Sequence, residues 1–399
     1  MQSRIWCLIA VLGNSLVLLP GCRDDLEPPT GPALESDQAQ LAQAPVFRQV
    51  VAGTRHSCGV TFDSRAYCWG SNSFGQLGDG VGLDHLTPHA VAGTHRFLTL
   101  DAGSFHTCGV TTDERIYCWG WNAFGQLGNG ALTSDDPNPV PTAVAGDRRF
   151  RQVRGGDQHT CGLTVANVLF CWGENHSGAL GNGTTTTRNP RPLKVSGGLT
   201  FRQVSAGFYH TCGITPADRV YCWGLNVNGQ LGDGTTTQRL VPRAVAGGLL
   251  FRQVNAGAQH TCAVTGESRA YCWGRNVEGQ LGDATRIERH APRAVAGTLR
   301  LRTVSVGTNF TCGVTLGDRA RCWGLNSSGQ LGNGTTTGRI TPVAVAGALP
   351  IHGLWTGDRH ACGLTTDDRA YCWGGNDYGQ LGDGTQTMRT RPVAVAAIE

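Results

Sequence analysis

The chain has 399 residues, of which 58 are glycine, 16 cysteine and only 2 methionine, and charged residues make up 16%. Its 33 Lys and Arg against 29 Asp and Glu leave a formal net charge of +4, too small an excess for a nucleic-acid binder that works through a basic face. Glycine at this level beside a single lysine, Lys194, argues for tight turns on an all-β scaffold and against a helical bundle.

Arg4 precedes an apolar run from Ile5 to Leu19, about 15 residues long, which is short for a membrane span and suited to a signal-peptide core. The run ends in Leu18-Leu19-Pro20-Gly21-Cys22, and Leu-x-Gly-Cys at that place resembles the bacterial lipobox. The resemblance implies a signal peptide over 1–21, cleavage after Gly21 and a lipid on Cys22. Residues 22–45 are acidic and proline-rich with no aromatic side chain, a composition that cannot bury a core and reads as a tether. The expected location is the cell envelope, periplasmic or at the cell surface, with the lipid as the one membrane attachment.

Residues 46–399 are one unit copied seven times. The copies begin at Phe47, Phe97, Phe150, Phe201, Phe251, Leu301 and Ile351 and read FRQVxAGxxHTCGVTxxxRxYCWGxNxxGQLGDGTTTxRxxPxAVAG. Each offers four short strands, typified by Phe201 to Val204, His210 to Thr215, Val220 to Gly224 and Pro242 to Val245, separated by Gly, Asn-Gly, Asp-Gly and Thr-rich punctuation. Four strands per copy and seven copies of about 50 residues make a seven-bladed β-propeller. The chain starts with FRQV and ends with PxAV, so pairing of Val393 to Ala397 with Phe47 to Val50 is expected to close the ring through its terminal strands.

The strings YCWGSNSFGQLGDG (Tyr67 to Gly80) and YCWGWNAFGQLGNG (Tyr117 to Gly130), with the weaker FCWGENHSGALGNG (Phe170 to Gly183), resemble the repeat of the regulator of chromosome condensation family. Seven matches in series make the resemblance specific. It implies the propeller fold, and among eukaryotic members it implies nucleotide exchange on a small GTPase together with chromatin binding. A secreted bacterial member acts instead as an enzyme inhibitor through one face of its ring. Ultraviolet-sensing members carry Trp in Gly-Trp-Arg-His, where this chain has Thr54, Ser104, Asp157, Phe208, Ala258, Thr308 and Asp358, so that role is not expected.

Fourteen cysteines form pairs ten residues apart: Cys58 with Cys68, Cys108 with Cys118, Cys161 with Cys171, Cys212 with Cys222, Cys262 with Cys272, Cys312 with Cys322 and Cys362 with Cys372. If each pair faces across an antiparallel hairpin, its Cα atoms come within disulfide range. Val60 then faces Ala66, Gly59 faces Tyr67, Ser57 faces Trp69, and Gly59 leaves room for the Tyr67 ring. A zinc site from His56, Cys58 and Cys68 competes with this reading, but closed zinc sites take four ligands and no fourth repeats. Disulfides are therefore expected in an exported chain.

Two arginine columns, one of Arg48, Arg151, Arg202, Arg252 and Arg302 and one of Arg65, Arg115, Arg219, Arg269, Arg319 and Arg369, read as solvated positions around the ring. The histidine column His56, His106, His159, His210, His260 and His360 reads as hydrogen-bonded to the adjoining loops, because repeated groups spread around a ring do not assemble one active site. No catalytic residue, cofactor or metal site is expected, and nucleic acid is not an expected partner.

Identity between copies marks what a blade needs, and variation marks what a partner can read. The variable residues before each His and after each CWG share one face. On it lie Arg55, Phe74, Phe105, Trp121, Phe124, Phe208, Tyr209, Arg359 and Tyr378. Ring closure makes copies seven, one and two neighbours, so Tyr378, Phe74, Phe105, Trp121 and Phe124 are expected to form one sector. The expected function is a monomeric, lipid-anchored binding module for a protein or surface glycan.

Overall fold

The computed structural model of the chain describes residues 45–398; the expected signal peptide, Cys22 and the expected tether up to residue 44 lie outside the described residues. The strands run from β1 (Gln49–Ala52) to β28 (Arg389–Ala394) and form seven four-stranded antiparallel sheets, each built from one contiguous copy. In the fourth copy they are β13 (Gln203–Ala206), β14 (His210–Ile214), β15 (Val220–Gly224) and β16 (Arg239–Ala244). The outer strand starts earlier than its Pro-x-Ala-Val core, where Arg239 sits opposite Gly224 across a register shift.

The ring does not close by sharing a blade between the chain termini. The last strand, Arg389–Ala394, pairs within its own sheet, Tyr371 opposite Ala394, while the first pairs Val50 with Gly59. The link from Ala52 to His56 is too short for anything but a hairpin between adjacent antiparallel strands, so every copy completes its own sheet. The seventh junction instead uses the bonds of the other six. Phe47 N–H donates to Asp368 O as Phe97 does to Ser64 O and Phe201 to Asn167 O.

The expected register holds: Cys58 faces Cys68, Gly59 faces Tyr67 and Ser57 faces Trp69. Every expected cysteine pair is joined by a disulfide: Cys58 to Cys68, Cys108 to Cys118, Cys161 to Cys171, Cys212 to Cys222, Cys262 to Cys272, Cys312 to Cys322 and Cys362 to Cys372. Their Cα separations are 4.0–4.1 Å, shorter than the 4.5 to 5.5 Å usual for directly opposed antiparallel residues, and all fourteen sulfurs lie on fully buried residues. With both members of each pair bonded to one another, neither Cys68 nor its equivalents Cys118, Cys171, Cys222, Cys272, Cys322 and Cys372 is left as a thiolate for zinc. The ring that needs the glycine is not Tyr67 but Phe47, whose Cδ1 lies 2.5 Å from where a Cβ on Gly59 would sit. Phe97 and Phe201 fill the same place over Gly109 and Gly213.

Strand alternation gives each blade two apolar faces, and seven clusters fill the junctions between blades. Between blades one and two, Cys58, Cys68, Val60 and Leu77 meet Phe97, Leu100 and Trp119. The CWG tryptophans are wholly buried, and each indole N–H reaches back to the GQLG loop of the preceding blade, or to its GALG variant for Trp223, with Trp119 Nε1 to Gln76 O at 2.9 Å and Trp69 Nε1 to Gln380 O at 3.0 Å. Gly78, at φ +74°, lies under that indole, where a Cβ would stand 2.6 Å from Trp119 Nε1.

The first arginine column is not merely solvated. Arg48 Nη2 donates to Phe97 O and Leu98 O at 2.8 Å, and Arg202 donates to Phe251 O and Arg252 O, so these guanidiniums clip their inner strand to the next, as do Arg151 and Arg252, whereas Arg302 pairs with Asp318 of its own blade.

The histidine column also couples blades. His56 Nε2 lies 2.8 Å from Thr107 Oγ1 of the next blade, and Thr107 donates to Gln76 O of the first. The hydroxyl proton is thus committed, so the histidine donates through Nε2–H, and burial keeps the ring neutral. The relay recurs at His106–Thr160, His159–Thr211, His210–Thr261, His260–Thr311 and His360–Ser57. At the remaining junction both partners change together: Phe310 stands for His and Ala361 for Thr, both fully buried. Replacing both partners of a buried bond by apolar groups avoids the cost of orphaning one.

Each bridge closes a loop worth about 2.8 kcal/mol in the chain-entropy model, less here because the hairpins are already local; full reduction should lower Tm strongly, and free thiols found by mass spectrometry at these fourteen positions of the isolated protein would refute the bridges. Burial holds the six histidines at a pKa of about 3, or about 4 for His159, below the 6.5 of the unfolded chain. Stability is therefore full above pH 6.5 and falls with pH toward 3, with a slope of up to about 1.4 kcal/mol per pH unit per histidine. In urea unfolding, Thr311→Ala should cost about 1–3 kcal/mol, while His260→Phe with Thr311→Ala should recover most of that loss and flatten the pH slope.

Candidate functional site

The variable residues after CWG and before His do share one end of the ring. Phe74 and Phe105 lie 5.3 Å apart edge to face, Phe74 and Trp121 5.7 Å, Phe105 and Trp121 6.0 Å, and Trp121 and Phe124 5.6 Å. The Arg55 guanidinium sits over Phe105 at 5.9 Å and over Tyr378 at 4.8 Å. One chain of ring and cation–π contacts thus runs from blade seven through blade one to blade two. The four rings and Tyr378 are half-buried and Arg55 is exposed, so the cluster is anchored beneath and open above.

Blade two holds the centre of this sector on a longer hairpin. Its third strand, Ile116–Asn122, runs two residues past CWG, and its fourth, Thr133–Ala143, extends to meet it with Asn122 opposite Thr133. Trp121 therefore sits on a strand where other copies have loop, which fixes its position better than a loop would. The segment around Asp135 and Asp136 belongs to that strand.

Three candidates fall outside the sector. Arg359 is exposed and its guanidinium pairs with Asp358 at 3.6 Å. Phe208 and Tyr209 form a second cluster between blades three and four, 6.4 Å apart, with His176 5.7 Å from Tyr209. Beneath them Asp157 is buried and takes hydrogen bonds from Ser104 and Tyr209; burial raises its pKa, and burial with the Asp157 charge pushes the Tyr209 phenol up to about 12. Glu174, also buried, pairs with His176. The acidic groups under Tyr209 were not legible as a cluster, because Ser104, Asp157, Glu174 and Tyr209 belong to three different copies.

The axis of the ring is a channel of about 280 Å³ lined by the inner strands. Its polar side chains mostly serve the ring itself: Asp101 Oδ2 accepts Gly155 N–H, Ser205 Oγ accepts Ala256 N–H, Asn255 Oδ1 accepts Val306 N–H and Ser305 Oγ accepts Thr356 N–H. Burial raises the Asp101 pKa against the pull of Arg154, 3.1 Å away. Arg154 and Trp355 stand where those acceptors would be.

Known proteins share both the repeat and the ring. The chain matches the RCC1-like domain over residues 49–352 and the Regulator of chromosome condensation (RCC1) repeat over residues 356–380. It is 30% identical over 207 residues to the Ultraviolet-B receptor UVR8 of Arabidopsis thaliana, a match covering 51% of this chain and 47% of that protein. It is 43% identical over 189 residues to the human Probable E3 ubiquitin-protein ligase HERC4, covering 46% of this chain and 18% of that protein. The matches thus span half or less of those relatives. Among solved structures, human WBSCR16 superposes with a TM-score of 0.74 at 20% identity, over 80% of this chain and 87% of that one. Prp20p from Saccharomyces cerevisiae gives 0.70 at 20% identity over 80% and 83%, which shows the shared fold. Seven four-stranded blades, a GQLG or GALG loop under each buried tryptophan and a match over most of its length place this chain in the RCC1-like domain family.

Proposed function

We propose that the protein is a binding module: an exported propeller, held to a membrane by a lipid on Cys22, that captures a protein partner on the loop face of blades seven, one and two. The observation that carries this reading is the convergence of Tyr378, Arg55, Phe105, Phe74, Trp121 and Phe124, all at positions that vary between copies. Aromatic rings and arginine are the usual anchors of protein interfaces, and their half-buried setting lowers the entropy lost on binding. The described residues hold seven disulfides, which supports an oxidising compartment.

Relatives favour binding in general terms. Prp20p is described by its binding to Gsp1p and histones, and UVR8 is named a receptor. Nucleotide exchange with chromatin binding fits this chain less well: disulfides are rare where those partners work, and the arginines of the inner strands are engaged by carbonyls of the next blade. The ligase named in HERC4 has most of its length outside the match. Capture of a secreted enzyme, as an inhibitor would do it, is one form of the proposed role, and a surface glycan is the alternative ligand.

A pull-down from the native envelope with the tethered propeller as bait identifies the partner. Against that partner Trp121→Ala should weaken binding by about 2 kcal/mol, roughly 30-fold, with a modest loss of stability from its ring contacts. Trp119→Ala, which empties a fully buried site, should cost about 3–5 kcal/mol of folding stability. Unchanged affinity in Trp121→Ala, or unfolding as severe as in Trp119→Ala, would remove the sector's anchor. Separately, Cys22→Ser should move the protein to the soluble fraction; retention on membranes would count against the lipid.

A further inference from the structure

The outer strand of blade one departs from the repeat at several positions at once. In blades four, five and seven the aspartate after GQLG pairs with the arginine that opens the outer strand: Asp233–Arg239 at 2.8 Å, Asp283–Arg289 at 2.9 Å and Asp383–Arg389 at 2.8 Å. Its other oxygen takes the amide and hydroxyl of the threonine two residues on, Thr235, Thr285 or Thr385. In blade one the aspartate is Asp79, but the threonine is replaced by Val81 and the arginine by His85. The outer-strand position opposite Cys68, which holds Arg243 and Arg293 in blades four and five, is His89.

Asp79 Oδ1 accepts from Val81 N–H and Asn72 Nδ2, both at 3.0 Å, with Gly82 N–H at 3.5 Å, while Oδ2 faces His85 Nε2 at 2.8 Å. The His85 ring lies on the His89 ring, centroids 4.1 Å apart and planes within 5°. One donor atom from each of the three residues lies within 4.8 Å of the others. The Asp79 side chain is 1% exposed and that of His85 23%, so the carboxylate is shielded from solvent while the imidazole paired with it is partly exposed.

We propose that Asp79, His85 and His89 form a binding site for a divalent transition-metal ion of the Zn²⁺ class. Two imidazole nitrogens and one carboxylate oxygen are a donor set for Zn²⁺, Co²⁺, Ni²⁺ or Cu²⁺, whereas Ca²⁺ and Mg²⁺ take oxygen shells. Bonds of about 2.0–2.1 Å set donor separations of about 3.4 Å, so the widest gap closes by roughly 1 to 1.5 Å of imidazole rotation. The ion supplies the permanent positive charge that arginine brings to the same carboxylate in blades four, five and seven. Asn72 and Val81 hold the carboxylate by its other oxygen, the outer support that such ligands require. The fourth position is left to water or to a ligand from outside the chain. The loop that carries Asp79 also carries Phe74, so the ion would sit at the margin of the aromatic sector, although the site stands without the proposed partner binding.

The test is titration of the tag-free full chain with Co²⁺, followed by displacement with Zn²⁺. The expected result is one ion per chain with visible ligand-field bands that Zn²⁺ abolishes. His85→Arg copies the pairing of blades four, five and seven, so it should fold with an unchanged metal-free Tm and bind at least about tenfold more weakly; His89→Ala should lose the bands as well. His290→Ala, at an exposed histidine elsewhere, should bind as the parent does. Absence of Co²⁺ bands in the parent, undiminished binding in His85→Arg, or loss in His290→Ala would overturn the site.

Discussion

The peptide carbonyl of the GQLG glutamine is the point on which the stacking of blades depends. In blade one it is Gln76 O, and it accepts both the Trp119 indole N–H and the Thr107 hydroxyl of blade two. A buried indole N–H without an acceptor would forfeit much of what burying the ring gains. The carbonyl can reach it only because Gly78 turns the loop at positive φ and leaves no Cβ over the ring. Once Thr107 has given its proton to that carbonyl it must accept one, and His56 supplies it. One loop conformation thus fixes a tryptophan, a threonine and a histidine on two blades, and repetition around the ring makes the last junction equivalent to the first.

That equivalence explains why closure needs no strand exchanged between termini. A shared blade would use backbone pairing to join the ends; here side chains and a few backbone bonds per junction, such as Phe47 N–H to Asp368 O and Gly384 N–H to Leu86 O at the last, join every neighbour, and Trp69 with Gln380 is simply the seventh case. Faces committed to stacking cannot vary, which confines variation to the loops after CWG and before His. The exception at Phe310 and Ala361 obeys the same logic, since the bond is removed from both sides and the space is refilled.

On the loop face the freedom is used unevenly. Blades seven, one and two gather aromatic rings around Arg55, while blades three and four bury Asp157 and Glu174 beneath Tyr209. The first arrangement leaves apolar edges toward solvent; in the second the carboxylates take hydrogen bonds from Ser104, Tyr209 and His176 within the protein. The difference separates a surface suited to a partner from a polar knot that stabilises its own loops.

The repeat, its strands, the hairpin register and the cysteine pairing were legible in the sequence, because period-two alternation and a fixed ten-residue spacing are local properties. The aromatic sector was legible too, since closure of a seven-fold ring makes copies seven, one and two neighbours whatever the details. What the sequence could not supply was the identity of partners across junctions. That Phe47 and not Tyr67 covers Gly59, that the inner arginines clip to carbonyls fifty residues on, that His bonds Thr of the next blade, and that each terminal strand stays in its own sheet all depend on which face of one blade meets the next. Identical copies carry no mark of that choice. The stacking handed it to the tertiary structure, where a buried polar group must find its partner on the neighbour it actually touches.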